Sequence, residues 1–519
     1  MAACIAAAFT PQPIEQIVEI GLAQIPQNST YAHVVRAVQQ FHAKEPNDFY
    51  ACRQYLEDHW GYDKYPGICH MIPNAGLCVL ALLYGQGDVS RTIEIATMCG
   101  WDTDCNAGNV GSIVGVLNGL QGIAKHYRQP INDYIVASSV SGYLNIVDLP
   151  TIAKQTALLG YRVNDEKPPT NLVDSYREQE IYCDFTLPGS THGFKTSYPF
   201  KTFIGHASDR GFYNNGALEI FLDRMYEGDI STVYYQSFYR RRQFNDEKYA
   251  PTFAPTAYSG QTVSFKISSE LTRGNNVWIQ PYIRTTYSQE MIFTHDAFIV
   301  QPQWQKIQFT IPPVDGDLIE EVGIHITTDS LRIERAFGKI YLDEFRIFGI
   351  PRYEIDFAKQ SVEFRSVTPF AHHAGHWTLL NDQLVMESET ATATFTGHYY
   401  MNETKLTTTI TPQAGTNHQL IVCGQGVERH YSLGFENEHE VAIVYKNHDV
   451  REVLASVPFE WRLNNHYTLT ASALDGQLML AIDGKVLLQT NHDAYTTGMV
   501  GFSALYGGKC VYEQFRVNM

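Results

Sequence analysis

Residues 100–122, GWDTDCNAGNVGSIVGVLNGLQG, constrain the fold more than any other part of the chain. Asp102 and Asp104 stand one residue apart on a turn, and Gly108, Gly111, Gly115, Gly119 and Gly122 follow at intervals of three and four. That spacing lines one face of a helix, with Val110, Ile113, Val114, Leu117 and Leu120 spread over the rest. An interior glycine costs about 1 kcal/mol against alanine. Five on one face therefore predict that another backbone or helix lies close along it, and that the aspartate loop is held rigidly inside a packed helical body. Two carboxylates in such a place are costly unless a cation meets them. Two readings stay open: oxygen ligation of a hard divalent cation, and capping of the helix by Asp102 or Asp104.

A chain of 519 residues is too long for one core, and about three or four domains are expected. A formal net charge of −17 repels phosphate backbones, which argues against a nucleic-acid partner. The nine cysteines are scattered and contain no CxxC pair, the usage of a reducing compartment without a disulfide frame or zinc ribbon. The start MAACIAAAF lacks a basic region and runs into Thr10-Pro11-Gln12-Pro13, so it does not read as a signal peptide. No apolar run is long enough to span a bilayer. These features predict a cytoplasmic protein with no membrane partner.

Residues 1–165 show helical periodicity. Ile14, Ile17, Val18, Leu22 and Ile25 recur up to Pro26, and Val34, Val35, Val38 and Phe41 repeat the pattern. Asn47 is expected to cap a third helix. Asn74–Tyr84 reads as a buried fourth, Gly85-Gln86-Gly87 breaks it, and Asp88 caps a helix leading to the aspartate loop. A last helix is expected from Asp148 to a stop at Gly160. Residues 166–180, with Pro168-Pro169, form a linker. From Ile181 the chain alternates polar with β-branched and aromatic residues, which predicts antiparallel sandwiches over 181–349 and 350–519. Asp475-Gly476 and Asp483-Gly484 are hairpin turns.

The run from Ile72 to Gly115, with its Gly100, Asp102, Thr103, Asp104 and Cys105 loop ahead of a small-residue helix, resembles the C-terminal half of the ADP-ribosylglycohydrolase family. The resemblance covers roughly the first 160 residues. It implies a partial all-α domain, a two-magnesium site and cleavage of a bond at the anomeric carbon of an ADP-ribosyl group. It also implies that Asp102 and Asp104 are catalytic residues and metal ligands, and that Cys105 joins them at the metal in place of the Thr whose hydroxyl or carbonyl often assists. The family's early glutamate and Thr-Asp-Asp motif have no counterpart, since no Thr-Asp-Asp occurs in the chain. An N-terminally truncated domain of impaired activity is therefore expected. Residues 181–349 are similar to galactose-binding-like jelly rolls found as carbohydrate-binding modules, and 350–519 resembles concanavalin-like or laminin-G-like sandwiches.

Asn106, Gly108 and Asn74 are the candidate substrate contacts. For Asn74 and for His70, a core hydrogen bond or a helix cap is the competing role. The function expected is a magnesium-dependent hydrolase acting on an ADP-ribosylated or glycosylated substrate, with accessory glycan-binding sandwiches. The alternative is a non-catalytic carbohydrate-binding or adhesive β-sandwich protein, in which Trp278, Trp304, Trp377 and Trp461 would stack on sugars unless they pack in the cores.

Overall fold

The computed structural model describes residues 1–244, 249–274 and 276–519. The chain forms two compact units, Met1–Ile131 and Asn132–Met519. Among the described residues no helix is long and apolar enough to cross a membrane.

The first unit is helical: α1 (Ala2–Ala8), α2 (Ile14–Leu22), α3 (Thr30–Lys44), α4 (Phe49–Trp60), α5 (Met71–Gly85), α6 (Val89–Met98), α7 (Thr103–Gly122) and α8 (Lys125–Ile131). Side chains close orphan N–H groups at four of the starts: Ser29 accepts from Ala32 N at 3.2 Å, Asp48 from Ala51 N at 2.9 Å, His70 from Ile72 N at 3.2 Å and Asp88 from Arg91 N at 2.7 Å. The cap of α4 is thus Asp48 rather than Asn47. Helix α5 is apolar on every side apart from Asn74 and is buried as such a helix must be. Val34 and Val35 of α3, Leu56 of α4, Ile95 of α6 and Ile113 and Val114 of α7 share its core.

The glycine face of α7 is not closely packed within this unit, contrary to expectation. A Cβ at Gly108 or Gly119 would meet nothing within 4 Å, at Gly111 and Gly115 it would touch Ile93 and Ile123 side chains at 3.5 and 3.9 Å, and the one close approach, 2.3 Å at Gly122, is to Asn118 of the same helix. The helix packs through Val110, Ile113 and Val114, which are fully buried. Gly119 takes φ 61°, ψ −171° and interrupts the helical path. The close approaches lie in α5 instead. A Cβ at Gly76 would sit 2.8 Å from Leu56 Cδ2 and 2.9 Å from Val34 Cγ2.

The second unit opens with a small hairpin, Tyr134–Val136 against Ile146–Asp148, and α9 (Leu149–Val163). Asp148 caps α9 by accepting from Thr151 N at 2.9 Å. This helix, expected to close the helical domain and stop at Gly160, runs on to Val163 and belongs to the second unit. A further short helix, Thr170–Asp174, lies where a linker is expected.

Antiparallel sheets fill the rest. In the first sandwich one sheet orders strands 291–293, 277–285, 319–328, 231–236 and 195–196, and the other orders 305–310, 262–273, 336–348, 217–225 and 202–207. Val233, Ile279 and Ile324 of one sheet share a core with Ile220, Phe265 and Ile340 of the other. Alternating burial along the strands produces that inner face. The second sandwich restarts at Tyr353–Ile355, which pairs with the last strand, Gly508–Val517. Its sheets share a core that includes Leu406, Leu469 and Phe515 on one side and Leu420, Leu433 and Phe502 on the other. Both Asp-Gly pairs form the expected turns, with φ of 49° and 76° at Asp475-Gly476 and 50° and 77° at Asp483-Gly484. Trp377 and Trp461 are core residues, stacked on Tyr512 and Phe435 respectively, so neither presents a face for a sugar. Trp278 and Trp304 are half-buried.

Candidate metal centre

The aspartate loop joins α6 to α7. Gly100 and Trp101 take successive positive φ values, 78° and 60°. A tryptophan in this region is uncommon and must be held by its surroundings. Two side chains do so. Arg53 on α4 donates from Nε to the Cys99 carbonyl at 2.7 Å and places its guanidinium 3.9 Å over the Trp101 ring. Tyr62 stacks on the same indole at 5.2 Å. Trp101 is therefore a packing residue that fixes the loop.

Asp102 occupies the cap position of α7, yet its side chain makes no capping bond. The backbone carbonyl of Asp102 accepts the first helical bond, from Asn106 N at 3.0 Å. The carboxylate is left for other work, and it faces Asp104 and Cys105. Ligand atoms of Asp102, Asp104 and Cys105 lie within 4.8 Å of one another. Asp102 is half-buried while Asp104 and Cys105 are exposed, so the pair sits at the mouth of the helical body rather than deep inside it. Two carboxylates at this separation fit a hard divalent cation, which accepts oxygen ligands and keeps part of its water shell. The thiol is a poorer match for such an ion. The adjacent Asp102 carboxylate, as hydrogen-bond acceptor and as negative charge, holds the exposed Cys105 thiol above its ordinary pKa.

Beneath the loop runs a buried polar chain. Cys78 donates to Asn106 Oδ1 at 3.3 Å, Asn106 Nδ2 donates to Asn74 Oδ1 at 2.8 Å, and Asn74 Nδ2 donates to Tyr62 Oη at 2.8 Å and to the His70 carbonyl at 3.0 Å. Asn74 is 8% and Asn106 2% exposed, so their amides face each other. Together they tie α7, α5 and the Tyr62 segment into one support. His70 caps α5 by accepting from Ile72 N at 3.2 Å. Gly108 lies one turn beyond Asp104 on the exposed side of α7. Arg53 and Tyr62 are the members of the site that sequence reasoning missed. They sit some forty residues away, on a helix and a turn with no motif of their own.

Comparison with solved structures returns β-sandwich domains at low similarity. A carbohydrate-binding module from Bacillus subtilis is 13% identical, covering 28% of this chain and 91% of its own, with a TM-score of 0.26. An N-terminal tandem of carbohydrate-binding modules from Paenibacillus barcinonensis is 10% identical over 65% of this chain and 96% of its own, with a TM-score of 0.22. A galectin from Caenorhabditis elegans is 9% identical over 28% and 96%, with a TM-score of 0.20. No curated protein matches the chain. Residues 1–159, which hold the aspartate loop and every group that supports it, match the model of the ADP-ribosylglycohydrolase family.

Proposed function

We propose that the helical unit binds magnesium through Asp102 and Asp104 and serves the hydrolysis of a glycosidic bond to ADP-ribose or a related glycosyl group. The observation that carries this reading is the Asp102 carboxylate, which stands at a helix N-terminus, does not cap it, and converges with Asp104. A divalent cation held there would polarise a ribose oxygen and lower the pKa of a bound water. Asp102 and Asp104 hold the charge. Cys105 lies beside them, and Arg53, Tyr62, Asn74 and Asn106 fix the loop. In the family two magnesium ions act together, and among the described residues this is the only group of three metal-ligating side chains. Hydrolysis by this chain alone is accordingly weak or absent.

The test is titration of the chain with magnesium by calorimetry, beside hydrolysis of a mono-ADP-ribosylated peptide. Saturable binding that Asp102→Ala abolishes, with little turnover, is expected. No cation binding would remove the metal reading. Robust, chelator-sensitive turnover lost in Asp102→Ala would show that the chain holds a complete site.

A glycan partner for the sandwiches is supported by a groove of about 420 Å³ on the outer face of the first sandwich. Phe221 and Phe337 meet there edge to face at 5.1 Å. Tyr341 donates to Glu270 at 3.1 Å, and Lys339 pairs with Glu219 at 2.8 Å. Aromatic carbon beside oriented charged groups suits an extended saccharide. Loss of binding on a glycan array in Phe221→Ala would place the contact in this groove.

A further inference from the structure

The second unit contains a cavity that neither the aspartate loop nor the sheet-face groove accounts for. It lies between the hairpin at 134–148, the first turns of α9 and residues 175–182, with a volume of about 180 Å³. An apolar cavity of roughly 150 Å³ admits a six-membered ring such as benzene, so this space takes one ring-sized molecule.

One end of the cavity is ionic and buried. Lys154, Asp184 and His192 are 4%, 2% and 1% exposed. Lys154 pairs with Asp184, His192 Nδ1 lies 3.0 Å from Asp148 Oδ1, and His192 Nε2 lies 3.7 Å from Asp184 Oδ1. His192 lines the cavity, and neither of its ring nitrogens has the alignment of a hydrogen bond within the protein. The two carboxylates stand against a lysine and a histidine, as burial of ions demands, while Arg177 and Glu178, opposite in sign, and Glu180, paired with Arg346, also line the cavity. A cluster already neutral as a whole has no call for a charged ligand. It offers donors and acceptors instead.

Tyr134, Tyr143, Tyr182 and Tyr235 supply the aromatic part of the walls. Tyr134 donates its hydroxyl to the Gln236 carbonyl at 2.8 Å, Tyr182 donates to Glu344 at 2.9 Å, Tyr143 bonds His398 Nε2 at 3.2 Å and Tyr235 bonds Thr256 at 2.9 Å. With those hydroxyls committed elsewhere, the tyrosines present the cavity with ring surface. Tyrosine faces at the sides and a compact set of donors and acceptors at one end match a small ring with an apolar C–H face and a hydroxyl-bearing edge.

We propose that this cavity binds a single neutral monosaccharide ring, stacked against the tyrosine walls with its hydroxyls directed to His192 and Asp148. The site is independent of the aspartate loop and of cation binding. Gln155 and Tyr176 complete its rim on α9 and the 175–182 segment.

The experiment uses the full chain, with D-ribose, D-xylose, D-galactose and N-acetyl-D-glucosamine as probes in saturation-transfer NMR and calorimetry. At least one sugar is expected to bind saturably. Tyr176→Ala and Gln155→Ala, both at half-buried rim positions, are expected to weaken it about tenfold or more, the effect of losing one good contact. Asp102→Ala and Phe221→Ala are expected to leave that affinity unchanged, which separates this site from the metal loop and from the groove. No binding by any of these sugars overturns the proposal. So does binding that survives both rim variants, or that Phe221→Ala removes. His192→Gln, with folding checked by circular dichroism, gives a second reading at the ionic end. A folded variant with unchanged affinity also overturns the assignment.

Discussion

Arg53 and Cys99 are joined across the helical unit by a 2.7 Å bond from guanidinium Nε to the backbone carbonyl, with the same guanidinium lying over Trp101. One side chain thus holds the loop both by its backbone and by its aromatic residue. Lysine has neither the planar fork nor the stacking surface. If the loop binds magnesium as proposed, Arg53→Lys is expected to lower that affinity about tenfold, as loss of an orienting partner does at metal sites, while far-ultraviolet circular dichroism stays unchanged. Calorimetric titration checks this. Unchanged affinity would mean that the loop keeps its geometry without Arg53.

Asp102 and Asp88 occupy equivalent positions at the starts of α7 and α6, but only Asp88 caps its helix through its side chain. Asp88→Ala should therefore cost about 1 kcal/mol in urea unfolding. Asp102→Ala should cost less, and its stability should lose the increment that added magnesium gives the parent chain. Equal losses in the absence of metal would restore the capping role to Asp102.

The glycines of α7 and α5 respond in opposite directions. Gly108 sits in helical backbone with open space where a Cβ would point, so Gly108→Ala should raise stability by about 0.5–1 kcal/mol. Gly76→Ala drives a methyl to within 2.9 Å of Val34 and 2.8 Å of Leu56, and should destabilise by about 1–3 kcal/mol. Chemical denaturation of the two variants decides the matter. A destabilised Gly108→Ala would indicate that the glycine face is packed in solution.

Local chemistry was readable from the sequence, whereas long-range partnership was not. The Asp-Gly turns, the Asp88 cap, the buried α5 and the convergence of Asp102 with Asp104 each follow from residues within a few positions of one another. Arg53 on Cys99 and Asn106 on Asn74 depend on which helices pack together, and spacing carries no record of that. The glycine face misled for a physical reason. Small residues permit close packing without requiring it, and the packed face of α7 is the apolar one. The position of α9 was hidden in the same way, because an amphipathic helix does not specify which apolar surface will cover it. The ionic end of the tyrosine-lined cavity joins Asp148, Lys154, Asp184 and His192 from separate elements, so it has no sequence motif.

Asp343 supplies a test of pH dependence inside the first sandwich. It is fully buried on the long strand 336–348, and burial pushes its carboxyl up to about 7. Bonds from the Phe212 and Glu344 amides, both at 2.7 Å, oppose that rise without cancelling it. In the unfolded chain the group titrates near 3.9. Between about pH 4 and pH 7 the folded protein keeps a proton that the unfolded chain has lost, so stability falls as pH rises through this window. The contribution is complete below the unfolded pKa and gone above the folded one. Relative to Asp343→Asn, which does not titrate, the parent chain should lose up to about 3 kcal/mol between pH 5 and pH 8. Urea unfolding of both proteins across that range measures the difference. A difference that stays flat or grows with pH would show that the Asp343 carboxyl is ionised in the folded protein throughout.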